Sequence, residues 1–475
     1  MRRSINIFLT AVAALAVAAS CNDSTIPAPY GPVPTEAQME WQKMEYYMFV
    51  HFGPNTFTDS EWGTGDENPD VFAPTDLDCE QWARIAREAG MKGIILTAKH
   101  HDGFCLWPSK YSRHTVAQSS WRNGRGDVLR ELADACEKYD LRLGVYISPW
   151  DRNHPAYGTE AYNEVFAGCI TEVLTEYGDI FELWFDGADD GEGDAPSRYR
   201  WNYFNATAHT LDPDLMIFSD VGPGCRWVGN ERGYAGETNW SRLDVAGFAP
   251  GRLAPPRDTL NCGNVHGSQW IPAEADVSIR PGWFYSPSTD SLLKSVDELM
   301  EIYYASVGRN ANLLLNVPPD RSGRISPVDS ARLMEFRDAR TEAFHADYAK
   351  MSRAYSGTVR ANSPKYAAAN AVDGRYSTYW TTDDSVTSAS FTVYFRRDRK
   401  VSSVMLQEYI PLGQRVKEFS VECRLGETGE WKEVCRGTTI GYKRIMRFDP
   451  VEASEVRFNI IDSYACPLIN NVAIY

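Results

Sequence analysis

At 475 residues, with 43% hydrophobic and 12% aromatic side chains, the chain has room for more than one domain and is too rich in core formers to be disordered. Its formal net charge of -16 excludes a polyanion such as nucleic acid as the main partner, because phosphates need clustered Lys and Arg. The 14 Trp and 25 Tyr suit either a large aromatic core or the flat apolar faces of sugars.

The chain opens with a targeting pattern. Arg2-Arg3 precede the short apolar run SINIFLTAVAALAVAAS, and Cys21 follows. The end of that run, Ala18-Ala19-Ser20-Cys21, resembles the lipobox of a bacterial lipoprotein, with Ala18 where Leu or Val is usual; a plain secretory peptide is the alternative. The run is too short and Ala-rich to span a bilayer. The expectation is an exported, periplasmic or outer-membrane-anchored protein that touches membrane only through a lipid on Cys21. Residues 22–35 carry four Pro and read as a tether. The nine remaining cysteines show no C-x-x-C or metal-like spacing, and no disulfide is assigned.

From residue 36 to 350, continuous apolar runs alternate with amphipathic helical periods. The strands expected are 91–100, 141–150, 180–187, 215–220 and 312–317, and the helices 127–140, 165–178 and 295–308. That alternation predicts an α/β fold, a (β/α)8-like TIM barrel. A doubly wound sheet is the alternative, but no Gly-rich phosphate turn follows any of these strands. Residues 355–475 differ: they carry 16 Lys+Arg and 14 Asp+Glu, a net of +2 against -18 for the rest. Short alternating segments at 390–395, 402–409 and 455–462 predict a separate C-terminal β-sandwich.

The strand endings carry the chemistry. In such barrels the active site sits at the carboxyl ends of the strands, and here those ends are His100-His101-Asp102, Ser148-Pro149-Trp150-Asp151, Asp186 and Asp220. Asp186 follows the apolar Leu183-Trp184-Phe185, where a carboxylate is costly unless it is paired. Asp-Gly is also a common hairpin turn, and the acidic stretch 186–194 lacks the spacing of a calcium loop. His51 ends the aromatic run 46–50, as Asp186 ends its own. A metal site built from His51, His100, His101 and Asp186 is chemically reasonable but lacks H-x-H or H-E-x-x-H spacing.

The segments MFVHFGPNTF, SEWG, TAKHHDGF, GVYISPWDRN, LWFDGA, RPGWFY and NLLLNVPPD, in this order over residues 40–345, resemble family 29 of the glycoside hydrolases, the retaining α-L-fucosidases. The resemblance implies hydrolysis of fucosylated oligosaccharides or glycoconjugates with no cofactor. It implies Asp186 as nucleophile, and His51, His100 and His101 as hydrogen-bonding partners of fucose hydroxyls. Trp62, Tyr146 and Trp184 would share that pocket, and Trp283 would pack on the sugar's C5 methyl. A retaining glycosidase also needs a second carboxyl group about 5–5.5 Å from the first. The segment WVGNERG resembles the subgroup that cleaves α-1,3/1,4 linkages on branched acceptors, which implies Glu231 as acid/base, with Glu237 and Glu274 as alternatives. Trp150 and Asp151 are placed near the branch. A broad or α-1,2 specificity is the alternative.

The segment ANAVDGRYSTYW (369–380) resembles the opening of a discoidin, or coagulation-factor type C, module. In relatives its Asp and Thr, here Asp373 and Thr378, lie at a structural calcium; the ending NNVAIY lacks the acidic residue that often completes that site. Two further readings compete: a non-catalytic glycan-binding protein that kept the pocket, and a metal-dependent hydrolase.

Overall fold

A computed structural model describes residues 26–191, 199–350 and 352–475. The leader with Cys21, and residues 192–194 of the acidic stretch, lie outside the described residues. Eight parallel strands close into a barrel: β1 (Tyr46–Val50), β2 (Gly93–Lys99), β3 (Arg142–Ile147), β4 (Ile180–Phe185), β5 (Met216–Ser219), β6 (Cys225–Trp227), β9 (Ala273–Ser278) and β10 (Ala311–Asn316). Neighbours follow chain order, and β10 pairs with β1 to close the ring. β7 (Arg242–Leu243) and β8 (Gln269–Trp270) form a short antiparallel pair in the excursion between β6 and β9.

Local sequence explains the helices that pack around the ring. The helix Val128–Lys138 starts on Asp127, whose side chain accepts from the Arg130 amide. The helix Val296–Ala305 starts on a capping box between Ser295 and Glu298. Their apolar faces join strand residues such as Ile94, Leu96, Val145 and Leu183 in one buried layer between sheet and helices. A helix at Glu36–Met44 plugs the barrel floor, where Trp41 donates to Glu182 at 2.7 Å and Asn312 donates to the Trp41 carbonyl at 2.7 Å. Among the described residues no helix is long and apolar enough to cross a membrane.

Two barrel strands depart from the expected pattern. β6 is three residues long and follows β5 after only residues 220–224, with no helix between them. β9 reads Ala-Glu-Ala-Asp-Val-Ser, yet it is wholly buried. Its Ala273 and Ala275 pack outward against Val228 and Ala311, while Glu274 and Asp276 accept hydrogen bonds from Trp184 and Trp227.

The C-terminal domain is an antiparallel β-sandwich. Its strands are β11 (Arg353–Tyr355), β12 (Trp380–Thr381), β13 (Ala389–Glu408), β14 (Val416–Arg424), β15 (Lys432–Gly437), β16 (Arg444–Ser463) and β17 (Leu468–Ile474). The sheet order is β12-β17-β13-β16-β14-β15, with β11 on β13. Residues 390–395 and 402–409, read from sequence as two strands, lie largely on the 20-residue β13; register shifts against β16 bend it between them. The fold encloses a core around Trp380, Phe391, Phe419 and Phe458.

The Pro-rich stretch read as a tether is seated rather than free where it is described. Tyr30 donates its amide to the Leu412 carbonyl at 3.0 Å and stacks on Tyr464 at 5.7 Å, and Arg415 donates to the Ala28 carbonyl at 2.6 Å. Barrel and sandwich meet through further bonds, among them Thr439 accepting from the Asn239 amide and Gln414 accepting from the Ser241 amide, both at 2.8 Å.

Asp151, expected near the substrate branch, lines a cavity at the barrel rim with Trp62 and Trp150, and its carboxylate is buried in a structural pair. It lies 3.0 Å from Lys99, and each side chain is 2% exposed. It also accepts from the His154 amide at 2.8 Å and the Tyr162 hydroxyl at 3.2 Å. Removing one partner strands the other charge, so Lys99→Met should destabilise the chain by about 3–5 kcal/mol. Denaturant unfolding checks this; a loss under about 1 kcal/mol would mean the pair contributes little.

Candidate active site

Asp186 stands where β4 leaves the core. One carboxylate oxygen accepts from the Ala188 amide at 2.7 Å, and the other from the Tyr146 hydroxyl at 2.8 Å. Its side chain is 25% exposed, so it opens into the mouth of the barrel. Residue 187 must be glycine, because a Cβ there would come within 2.6 Å of an Asp220 carboxylate oxygen and 2.7 Å of the Gly251 amide. That close passage brings Asp220 beside Asp186. Burial, then the charge of Asp186, push the Asp220 carboxyl up to about 6, although the Gly251 amide donates to it at 2.6 Å.

The three histidines gather on one side of Asp186. His100 and His101 are sequence neighbours whose rings nonetheless lie 4.1 Å apart, because the chain turns immediately after them. The turn closes through the Gly103 amide to the His100 carbonyl at 3.0 Å. Gly103 adopts φ +83, and a Cβ on it would meet an Asp151 oxygen at 2.2 Å. His101 lies 2.8 Å from the Ser148 hydroxyl through Nδ1, and its Nε2 is 3.7 Å from Asp186. His51 pairs through Nδ1 with the Asn316 side-chain oxygen at 2.8 Å. Burial pulls His51 down to about 3 and lowers His100 and His101 as well, the last against the pull of Asp186. All three are therefore neutral at pH 7, each offering one donor and one acceptor nitrogen.

Aromatic rings shape the floor and wall. Tyr146 stacks on Trp184 at 5.2 Å and on His100 at 5.7 Å. Trp283 lies over His51 at 4.9 Å and 29°. Asn316 fixes both: its amide nitrogen donates to the Trp283 carbonyl at 2.8 Å while its oxygen holds His51. Trp62 is 56% exposed at the rim, edge-on to Trp150 at 5.8 Å.

Of the three glutamates weighed as acid/base, only Glu231 comes to this cluster. It lies in the excursion after β6, exposed at the rim, with its carboxyl beside Trp283. Partial burial, then the negative charges of Asp186 and Glu61, raise it above the ordinary glutamate value, opposed by the Trp283 hydrogen bond and Arg257. Glu237 lies at the domain junction, 3.5 Å from Arg309, with a side chain 79% exposed. Glu274 is fully buried beneath Trp184, which donates to it at 2.8 Å. It shares that interior with Glu182 and Cys225, and burial pushes both carboxyls up. Neither Glu237 nor Glu274 faces Asp186.

Sequence reasoning passed over Asn316 and Glu61. Glu61 sits in the quoted SEWG segment and accepts the Trp283 amide on both oxygens, at 2.9 and 3.2 Å. Asn316 ends the quoted run NLLLN, where a polar residue closing a barrel strand was the available signal. It also passed over Asp276, whose carboxyl burial and the charge of Glu231 push up.

The metal reading of the histidines does not fit. Among the described residues the one group of three ligand-type atoms within 4.8 Å of one another is Glu182, Cys225 and Glu274, not the histidines. Trp41, Tyr47 and Trp184 already donate to its carboxylates. In the sandwich, Asp373 and Thr378 do meet: the Thr378 hydroxyl donates to both Asp373 oxygens at 2.8 and 3.0 Å, and the Arg375 amide donates at 2.8 Å.

Comparison with known proteins gives the family and the fold. The alpha-L-fucosidase family pattern matches residues 29–338, and the F5/8 type C domain pattern matches residues 354–471. Alpha-L-fucosidase 1 of Arabidopsis thaliana is 40% identical, covering 100% of this chain and 94% of its own. The plasma alpha-L-fucosidase of Homo sapiens is 29% identical over 62% of this chain and 60% of its own. A glycoside hydrolase 29 family member from an unknown rumen bacterium superposes with a TM-score of 0.83 at 41% identity, covering 94% of this chain and 78% of its own. A Ruminococcus gnavus GH29 fucosidase solved in complex with fucose superposes with a TM-score of 0.85 at 32% identity, covering 95% and 96%. By sequence and by fold, the chain belongs to the alpha-L-fucosidases of glycoside hydrolase family 29, with an F5/8 type C domain at its C-terminal end.

Proposed function

We propose that this fucosidase removes terminal α-1,3- or α-1,4-linked fucose from branched glycans by double displacement, with Asp186 as nucleophile and Glu231 as acid/base. The observation that carries the reading is the pair itself. Asp186 is held by two donors at the barrel mouth, and its charge raises the proton affinity of Glu231, as it does that of Asp220. In the first step an Asp186 oxygen attacks the anomeric carbon, the glycosidic C–O bond breaks, and Glu231 passes its proton to the departing oxygen. In the second, Glu231 takes a proton from water, whose oxygen attacks the same carbon and releases Asp186. Two inversions give retention.

Neutral His51, His100 and His101 suit the hydrogen-bonding of fucose hydroxyls, and Trp283 suits an apolar contact with the C5 methyl. The branched acceptor finds support in an open cavity of about 720 Å³ at the rim, walled by Trp62, Trp150 and Tyr157. The flat aromatic faces there suit the apolar faces of further sugars. Initial rates on α-1,2-, α-1,3- and α-1,4-linked fucosyl oligosaccharides test the reading, with the last two expected to be cut faster. A preference for α-1,2 linkages would remove the linkage assignment and leave the fucosidase.

Export follows from Arg2-Arg3, the apolar run and Cys21, which we read as a lipid-anchoring leader. Cys21→Ser should release the protein from the membrane fraction; an unchanged distribution would point to a plain secretory peptide.

A further inference from the structure

Two buried asparagines stand on β10, Asn312 toward the barrel floor and Asn316 at the mouth. Each donates to a backbone carbonyl of another element: Asn312 to that of Trp41 at 2.7 Å, Asn316 to that of Trp283 at 2.8 Å. They differ in what else they hold. Asn316 also faces His51, and that contact decides what the pocket offers a sugar.

The orientation of the Asn316 amide follows from partners that have only one role. The Trp283 carbonyl can only accept, so the Asn316 nitrogen points to it; the same nitrogen donates to the Ser278 hydroxyl at 2.9 Å. The His51 backbone amide can only donate, and it reaches the Asn316 oxygen at 3.2 Å. That oxygen also lies 2.8 Å from His51 Nδ1. A carbonyl oxygen has no hydrogen to give, so Nδ1 must carry the ring proton. Burial pulls His51 down to about 3, and a neutral imidazole has a single N–H. Nε2 is therefore a bare acceptor. Among the described residues it has no hydrogen-bond partner, yet it is not sealed from solvent as the Nε2 of His114 is. Around the ring stand His100 at 5.7 Å, Tyr146 at 6.2 Å and Trp283 at 4.9 Å, the groups that line the mouth.

Asn316 fixes the neighbouring wall at the same time. Trp283 is held on both sides of its backbone, its amide by Glu61 at 2.9 Å and its carbonyl by Asn316, while its ring lies over His51. One side chain thus sets the polarity of a ring nitrogen and the place of the apolar ring beside it.

We propose that Asn316 is a positioning residue for the sugar: it locks His51 in the Nδ1–H form, so that the ring nitrogen left free accepts a hydrogen bond and a fucose hydroxyl donates it. The proposal rests on the reading of His51 as a fucose-binding residue. Its test uses NMR of the full chain with labelled ring nitrogens in its histidines, His51 being assigned by its loss in His51→Gln. At pH 7 wild-type His51 should show a protonated Nδ1 and a bare Nε2. Saturation with L-fucose should shift Nε2 part-way toward the protonated type while Nδ1 holds its proton. Asn316→Ala frees Nδ1, so protonated Nε2 should appear, and affinity for L-fucose, read by calorimetry, should fall about tenfold or more. Asn312→Ala removes a comparable buried bond from the same strand and should leave both the His51 signals and the fucose affinity unchanged. A protonated Nε2 in the wild type, an Nε2 that ignores L-fucose, or equal losses in Asn316→Ala and Asn312→Ala would each overturn the proposal. The first two are read on the wild-type chain and decide the matter even where Asn316→Ala does not fold. Absence of fucoside hydrolysis alongside a fucose-shifted Nε2 would overturn the catalytic reading instead.

Discussion

Replacing Asp186 by Ala should abolish turnover and leave the fold in place. The side chain makes two hydrogen bonds, from the Ala188 amide and the Tyr146 hydroxyl, and packs no apolar core. Asp186 itself is part-exposed at the mouth, so water can enter the space it leaves and satisfy both donors, and the stability cost should stay near that of a single hydrogen bond, about 1 kcal/mol. The catalytic cost is of another order. With no carboxylate to attack the anomeric carbon there is no covalent intermediate, and the loss should be on the order of 10⁴–10⁶-fold, the scale felt when a covalent nucleophile is removed. Azide or formate fits the space the carboxylate vacates and should partly restore turnover of an activated aryl fucoside. Because that attack happens once, the product should carry inverted configuration. Asp186→Asn keeps the shape without the charge and should be equally inactive. Near wild-type activity in either variant would sink the nucleophile assignment.

The parts of this molecule that apolar patterning dictates were legible from sequence. β2, β3, β4 and β10 are continuous runs buried on both faces, and the sites at their ends, His100, His101 and Asp186, stand out because polar groups close apolar strands. β9 was not legible, for a physical reason. Its inner face carries Glu274 and Asp276, which are stable there only because Trp184 and Trp227 donate to them from other strands. A sequence shows the carboxyls without their donors, so the segment looks like a loop, and Glu274 looks like a catalyst. Asn316 escaped for the same reason. Its importance lies in joining His51 to Trp283, two residues far from it in the chain. Glu231 follows no strand pattern, and only the resemblance of its loop singled it out. The Pro-rich stretch looked like a free tether because the surface it rests on belongs to residues nearly 400 positions later.

Glu231→Gln should separate substrates by their leaving groups. A sugar hydroxyl leaves poorly and needs a proton as the C–O bond breaks, whereas an activated phenol departs unaided. The variant should therefore lose on the order of 10²–10⁴-fold on Lewis-type trisaccharides and far less on the aryl fucoside. The pH profile supplies a second readout. Partial burial and the charge of Asp186 raise Glu231 above its ordinary value, so the proton it must donate is held to higher pH. In the wild-type enzyme, kcat/KM on trisaccharides should fall as pH rises through that elevated pKa, because the acid is then deprotonated. Glutamine has no proton to lose at that pH, so this alkaline limb should vanish from the residual activity of the variant. Glu237 and Glu274 give no such signature, since one pairs with Arg309 at the domain junction and the other is sealed beneath Trp184. If Glu231→Gln slowed both substrate classes equally and kept the alkaline limb, the proton would have to come from elsewhere. Asp276 would be the next group to test, because it is buried within reach of the charge of Glu231 and likewise holds its proton above the ordinary carboxylate range.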